Sequence, residues 1–186
     1  MVAGKLSMVF WLKRYGFQPA GMLVLQPAAC KTTACGGRNR GYDAGKQING
    51  CKRFILTVTQ GLLLAVWVCA ASVSEKMGVK CLLRYLRRSF NLRELTSHIN
   101  LVWVDGGYRG DDLKNFVEKL WGWCWQVVQR TDDKKGFKVL PRRWIVERTF
   151  AWLLHARRLN KDYEKNRINA QSMLYLAMIS LMLKRF

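Results

Sequence analysis

The chain has 186 residues, 32 Lys and Arg against 12 Asp and Glu, and a formal charge of +20; half of it is hydrophobic, with eight Trp. That length suits one ordinary domain, and so apolar a chain with only three Pro is not an intrinsically disordered tail. A surface this basic is not indifferent to anions, and its default partner is a polyanion.

Residues 1–20 have no clear period and stay unassigned, which leaves 21–186 as one domain with no linker or repeat. Met22–Leu25 reads as a short buried strand. Lys31–Asn49 reads as a loop, with glycines around Gly36–Gly37 and Gly41–Gly45. Arg53–Thr59, the pair Gln60-Gly61 and Leu62–Ala70 form a predicted β-hairpin with a two-residue turn. Glu75–Arg88 is a predicted helix, with Val79, Leu82, Leu83 and Leu86 on one side and Arg84, Arg87 and Arg88 on the other. Ile99–Val104 is an apolar strand ending at Asp105, and Asp111–Leu120 a helix with two acids in its first turn. Trp121–Val128 alternates as a strand would, with Trp121, Trp123, Trp125 and Val127 on one face. Core packing explains that stripe better than a base-stacking platform. Pro141 suits the first position of a helix to about Leu159. The mostly apolar Asn169–Leu183 is a last helix that must be buried or paired. The order predicts a mixed α/β sheet with helices packed on it.

The longest apolar run, Gly61–Val73, is thirteen residues and too short to span a bilayer. A signal peptide is disfavoured by the brevity of Gly21–Leu25 and by Pro27, so the expected location is cytoplasmic. Six scattered cysteines agree with a reducing compartment. Cys30, Cys35 and Cys51 evoke a zinc site but lack a fourth ligand at useful spacing, which favours ordinary thiols.

Two acids stand out by location. Asp105 ends an apolar strand before Gly106-Gly107-Tyr108, and α/β sheets build sites at such strand ends. Glu147 lies inside the Pro141–Leu159 helix, with Trp144, Phe150, Ala151 and Leu154 at helical spacing, so it is expected on an apolar stripe. A buried carboxylate there needs a metal ion or an arginine. The plainer alternatives are an Arg143–Glu147 ion pair and a turn-capping role for Asp105. Basic charge gathers at the two ends of the chain, 11 basic against 2 acidic residues over 1–80 and 11 against 3 over 136–186. Arg142, Arg143, Arg148, Arg157, Arg158 and Lys161, interleaved with Trp and Phe, favour nucleic acid over a merely solvated helix face.

Val104-Asp105-Gly-Gly-Tyr-Arg-Gly110 resembles the second-aspartate block of DDE transposases from bacterial insertion sequences. Val139-Leu-Pro-Arg-Arg-Trp-Ile-Val-Glu-Arg-Thr-Phe-Ala-Trp-Leu153, followed by Arg157-Arg158-Leu159 and Lys161-Asp162-Tyr163-Glu164, resembles their glutamate block. Gly41–Lys46, Gly50–Arg53 and Gly61–Val66 are similar to the segment after the first aspartate. The resemblance runs from about Gly21 to the C-terminus. It implies an RNase H-like catalytic domain that cuts and joins DNA, with Asp105 and Glu147 as second and third acids holding Mg²⁺ or Mn²⁺. It also implies DNA contacts at Lys46, Lys52, Arg53, Arg142, Arg143, Arg148, Arg157 and Arg158, a nucleoid-associated location when bound to DNA, and a homo-oligomer.

The match departs from the family in places that bear on activity. Gln26 stands where the first aspartate belongs, five residues before Lys31-Thr32-Thr33, and Cys51, Phe54 and Val58 replace the usual Arg, His and Asp. Residues 1–20 do not resemble the family's DNA-binding front end. A carboxylate shared by two metals helps hold them about 3.5–4 Å apart, and hard Mg²⁺ prefers anionic oxygens to a neutral amide. Metal occupancy and strand cleavage are therefore expected to be weak, with Asp43 the one nearby acid to consider as a substitute. A divergent, decaying or truncated copy fits these departures. The alternatives are a catalytically dead DNA-binding remnant that competes with an intact transposase, and a product with no function.

Overall fold

The computed structural model describes residues 21–33, 40–89, 94, 96–128 and 143–184, with the side chain of Arg143 outside the description. Its elements are strands β1 (Met22–Lys31), β2 (Gly41–Asp43), β3 (Ile48–Val58) and β4 (Leu63–Ala70), helix α1 (Glu75–Arg88), strand β5 (Leu101–Asp105), helix α2 (Asp111–Trp121), strand β6 (Cys124–Val128), and helices α3 (Arg143–Leu154) and α4 (Arg167–Leu183). Short 3-10 turns occupy Gly106–Tyr108 and Arg157–Leu159.

The strands form one mixed sheet in the order β2-β3-β1-β5-β6, with β4 also paired to β3. β3 runs antiparallel to β1, β2 and β4, whereas β1, β5 and β6 are mutually parallel. β2 pairs with Ile48–Gly50 and β4 with Cys51–Thr57, so these two strands share the outer edge of β3 end to end. Every residue of β3 from Gly50 to Val58 is buried. Its side chains alternate between two helical layers. Phe54 lies under Gly78 of α1, where a Cβ would collide with its ring, while Arg53 reaches the Leu159 carbonyl after α3. This is the mixed sheet flanked by helices that the RNase H-like expectation describes.

The predicted elements are present, with informative shifts. β1 continues well past Leu25 to Lys31, carried by its ladder with β3 across Pro27 and the two alanines. The segment read as a loop holds β2 and the start of β3, because a short edge strand needs few apolar residues of its own. Gly61, with φ +84°, makes the hairpin turn. Val79, Leu82, Leu83 and Leu86 of α1 are fully buried, each such side chain contributing about 1.5–3 kcal/mol. The tryptophan stripe is shorter than the alternation implies. Trp121 closes α2 before the left-handed Gly122, so only Trp123 and Trp125 are buried strand-end residues, and Trp121 stacks on Trp123 at 4.4 Å. The glutamate helix runs Arg143–Leu154 and Leu159 ends a separate turn; Pro141 lies outside the described residues. α4 buries Leu174, Tyr175, Met178 and Met182 against β4 and α3. Among the described residues, no helix is long and apolar enough to cross a membrane.

Candidate functional site

The parallel register of β1 and β5 pairs Leu25 with Val104. The next residues along the two strands are Gln26 and Asp105, at the carboxyl end of β5, where Asp105 pairs with Val128 of β6. Both are half-buried. The Asp105 carboxylate accepts the Gly106 N–H at 2.7 Å and caps the turn, as its plainer reading proposed. Behind it the Tyr108 hydroxyl is pushed well above its ordinary range, first by burial and then by the charges of Glu75 and Asp105, so the phenol stays neutral. Glu75, read from the sequence only as the first residue of a predicted helix, thus belongs to the surroundings of Asp105. It also receives Lys46 Nζ at 3.2 Å.

Glu147 reaches the site's neighbourhood from the other helical layer. α3 packs against β1, and Glu147 borders a groove of about 620 Å³ lined also by Ala28, Cys30, Arg53, Phe150 and Leu154. The expectation of a buried Glu147 is corrected. Its side chain is exposed, as are Trp144, Ala151 and Leu154, while the buried stripe of α3 is Ile145, Val146, Thr149 and Leu153. The helix is apolar on both faces, so spacing alone did not identify the inner one.

The basic residues divide by environment. Lys52 and Arg53 are each only 6% exposed. Lys52 pairs with Asp43 at 2.9 Å and donates to the Val73 carbonyl, and Arg53 donates to the Leu159 carbonyl at 2.6 Å. They serve the fold rather than presenting charge to phosphate, which corrects their reading as DNA contacts. Asp43, held below the usual carboxylate range chiefly by the hydrogen bond from Lys52, is thereby committed at the outer edge of β3, away from Gln26. Arg148 lies between Trp144 and Trp152, 4.4 and 4.6 Å from their ring centroids, and donates to the Gln60 carbonyl. Arg157 and Arg158 are exposed, the latter paired with Glu164 at 2.8 Å. Arg142 and the side chain of Arg143 lie outside the described residues, and with them the Arg143–Glu147 pair.

The family model of the transposase DDE domain matches residues 28–183. The chain belongs to that family. DNA transposition is therefore the function of its family and DNA the family's partner, and such domains generally use divalent metals. Among solved structures the chain is similar to the catalytic domain of the Mos1 mariner transposase, with a TM-score of 0.49 and 10% identity over 96% of this chain and 85% of that one. No curated protein matches it.

A metal-binding reading of this DDE domain meets a shortage of donors. Among the described residues no three His, Cys, Asp or Glu side chains gather into a group able to hold a metal ion. Two carboxylates and the Gln26 amide do not supply the bridging anion that a two-metal site needs, and one oxygen of Asp105 is already engaged by its own turn. The described residues do not fit the metal pair.

Proposed function

We propose that this chain is a DDE transposase catalytic domain that engages DNA but cleaves it weakly or not at all, because Gln26 occupies the position of the first acid. The observation that carries the reading is the β1–β5 register, which pairs Leu25 with Val104 and so brings Gln26 and Asp105 next along the two strands. DNA contacts are assigned to Lys46, Arg142, Arg143, Arg148, Arg157 and Arg158, while Asp105 and Glu147 are the remaining acids of the catalytic set. Restoring Gln26→Asp and following nicking of supercoiled plasmid in Mn²⁺ tests it. The expected result is cleavage by the variant and little by the native chain, with both binding DNA equally. Equal nicking by the two proteins would overturn the reading, and so would failure of either to bind.

The second reading, a dead remnant that competes with an intact transposase, draws support from the turn-capping Asp105 and from the want of a three-donor group among the described residues. It predicts DNA binding with no nicking by native chain or Gln26→Asp variant, and inhibition of an active transposase sharing its DNA ends.

A further inference from the structure

Cys30 and Cys51 oppose one another directly in the antiparallel β1–β3 ladder. Opposed residues in such a ladder have Cα atoms about 4.5–5.5 Å apart, within the roughly 4.4–6.8 Å span of a disulfide. Both side chains are buried, and Cys30 Sγ lies 4.0 and 3.9 Å from the Leu159 and Asn160 carbonyls. Cys30 lines the groove beside Glu147, whereas Cys51 does not. Arg53, two residues beyond Cys51 on β3, lines the same groove. The neighbouring Cys51 thiol, with help from the Arg53 charge, draws the Cys30 thiol below its ordinary range against the effect of burial. Cys51 is pushed up, first by Cys30 and then by burial.

We propose that Cys30 and Cys51 are a reactive dithiol, with Cys30 the attacking thiol and Cys51 the resolving one, oxidised by low-molecular-weight disulfides. The Cys30 thiolate attacks one sulfur of the small disulfide, whose S–S bond breaks and releases one thiolate. Cys51 then attacks the Cys30 sulfur of the mixed disulfide, passing its proton to the second small thiol as that departs. The pair loses two electrons, and the small disulfide gains them as two thiols. The link joins the strand carrying Gln26 to β3 along the wall of the Glu147 groove.

Incubating the full chain with oxidised glutathione, trapping free thiols with iodoacetamide and mapping peptides by mass tests the proposal. Exposed Cys124 serves as an internal control for reagent access. The expected product is a Cys30–Cys51 linked peptide in most chains. In Cys51→Ser, glutathione should instead remain on Cys30, with about tenfold more retained adduct there than in the native chain, since nothing resolves it. The proposal is overturned if Cys124 is fully glutathionylated while Cys30 and Cys51 both stay reduced, or if Cys30 links to Cys35.

Discussion

Replacing Gln26 by Asp should make the stability of the protein depend on divalent metal. Neighbouring strands stand about 4.8 Å apart, and side chains in register share a face. The introduced carboxylate would therefore lie roughly 5 Å from that of Asp105. At a half-buried position, with an effective dielectric between about 20 and 80, their repulsion is about 1–3 kcal/mol. For a chain of this size that lowers the melting temperature by about 2–12 °C. Melting curves in EDTA and in millimolar MnCl₂ measure it. The native protein should melt at the same temperature in both. The variant should melt lower in EDTA and recover to the native value or above it in Mn²⁺, as the ion neutralises the pair. Gln26→Ala, which removes the amide without adding charge, should show no metal response. A Gln26→Asp protein that melts like the native one in EDTA and ignores Mn²⁺ would refute the adjacency of Gln26 and Asp105. The assignment of Gln26 to the first acid position would fall with it.

Thr149→Val should cost about 1–3 kcal/mol in urea or thermal unfolding, because the buried Thr149 hydroxyl donates to the Gly61 carbonyl at 2.7 Å and Val leaves that acceptor unsatisfied; Thr149→Ser should recover most of it. Asp43 is held below its ordinary range by Lys52, so the pair's contribution is present above the unfolded carboxylate value of about 3.9 and lost as pH falls through the lower folded value. An acid titration of unfolding should show that loss in the native protein and not in Lys52→Met, which should be the less stable of the two at neutral pH. Arg157→Ala should weaken binding to any duplex alike and flatten the plot of log K against log salt by about 0.9 if that side chain meets one phosphate; an unchanged slope excludes the contact.

Elements whose signal is local were legible in the sequence. α1 carries its buried stripe in one amphipathic repeat, and the β3–β4 hairpin carries its turn in Gln60-Gly61. Asp105 was visible as a polar residue ending an apolar run. What was hidden depends on partners distant in sequence. The second half of β1, with Pro27 and two alanines, is a strand because β3 pairs with it residue for residue, and nothing in Gln26–Lys31 alone reports that ladder. The burial of Lys52 and Arg53 has the same origin, since their acceptors lie at Asp43, Val73 and Leu159. A basic pair inside an otherwise apolar run, Cys51–Val58, was the available clue that these charges turn inward.

The orientation of Glu147 follows from contacts that tie α3 to the hairpin turn. An α-helix advances about 100° per residue, so Thr149 lies about 200° around the axis from Glu147, on nearly the opposite side. Thr149 is drawn inward by the Gly61 carbonyl, and Arg148, flanked by Trp144 and Trp152, is fastened to the carbonyl of Gln60 next to it. Fixing the helix at Thr149 therefore turns Glu147 outward to the groove beside β1, and it does so although both faces of the helix are apolar enough to be buried. In this chain the rotation of Glu147 is decided by a hydroxyl and a guanidinium reaching the Gln60-Gly61 turn. Gln26 needs no such device, because strand register fixes its place one residue beyond the Leu25–Val104 pair.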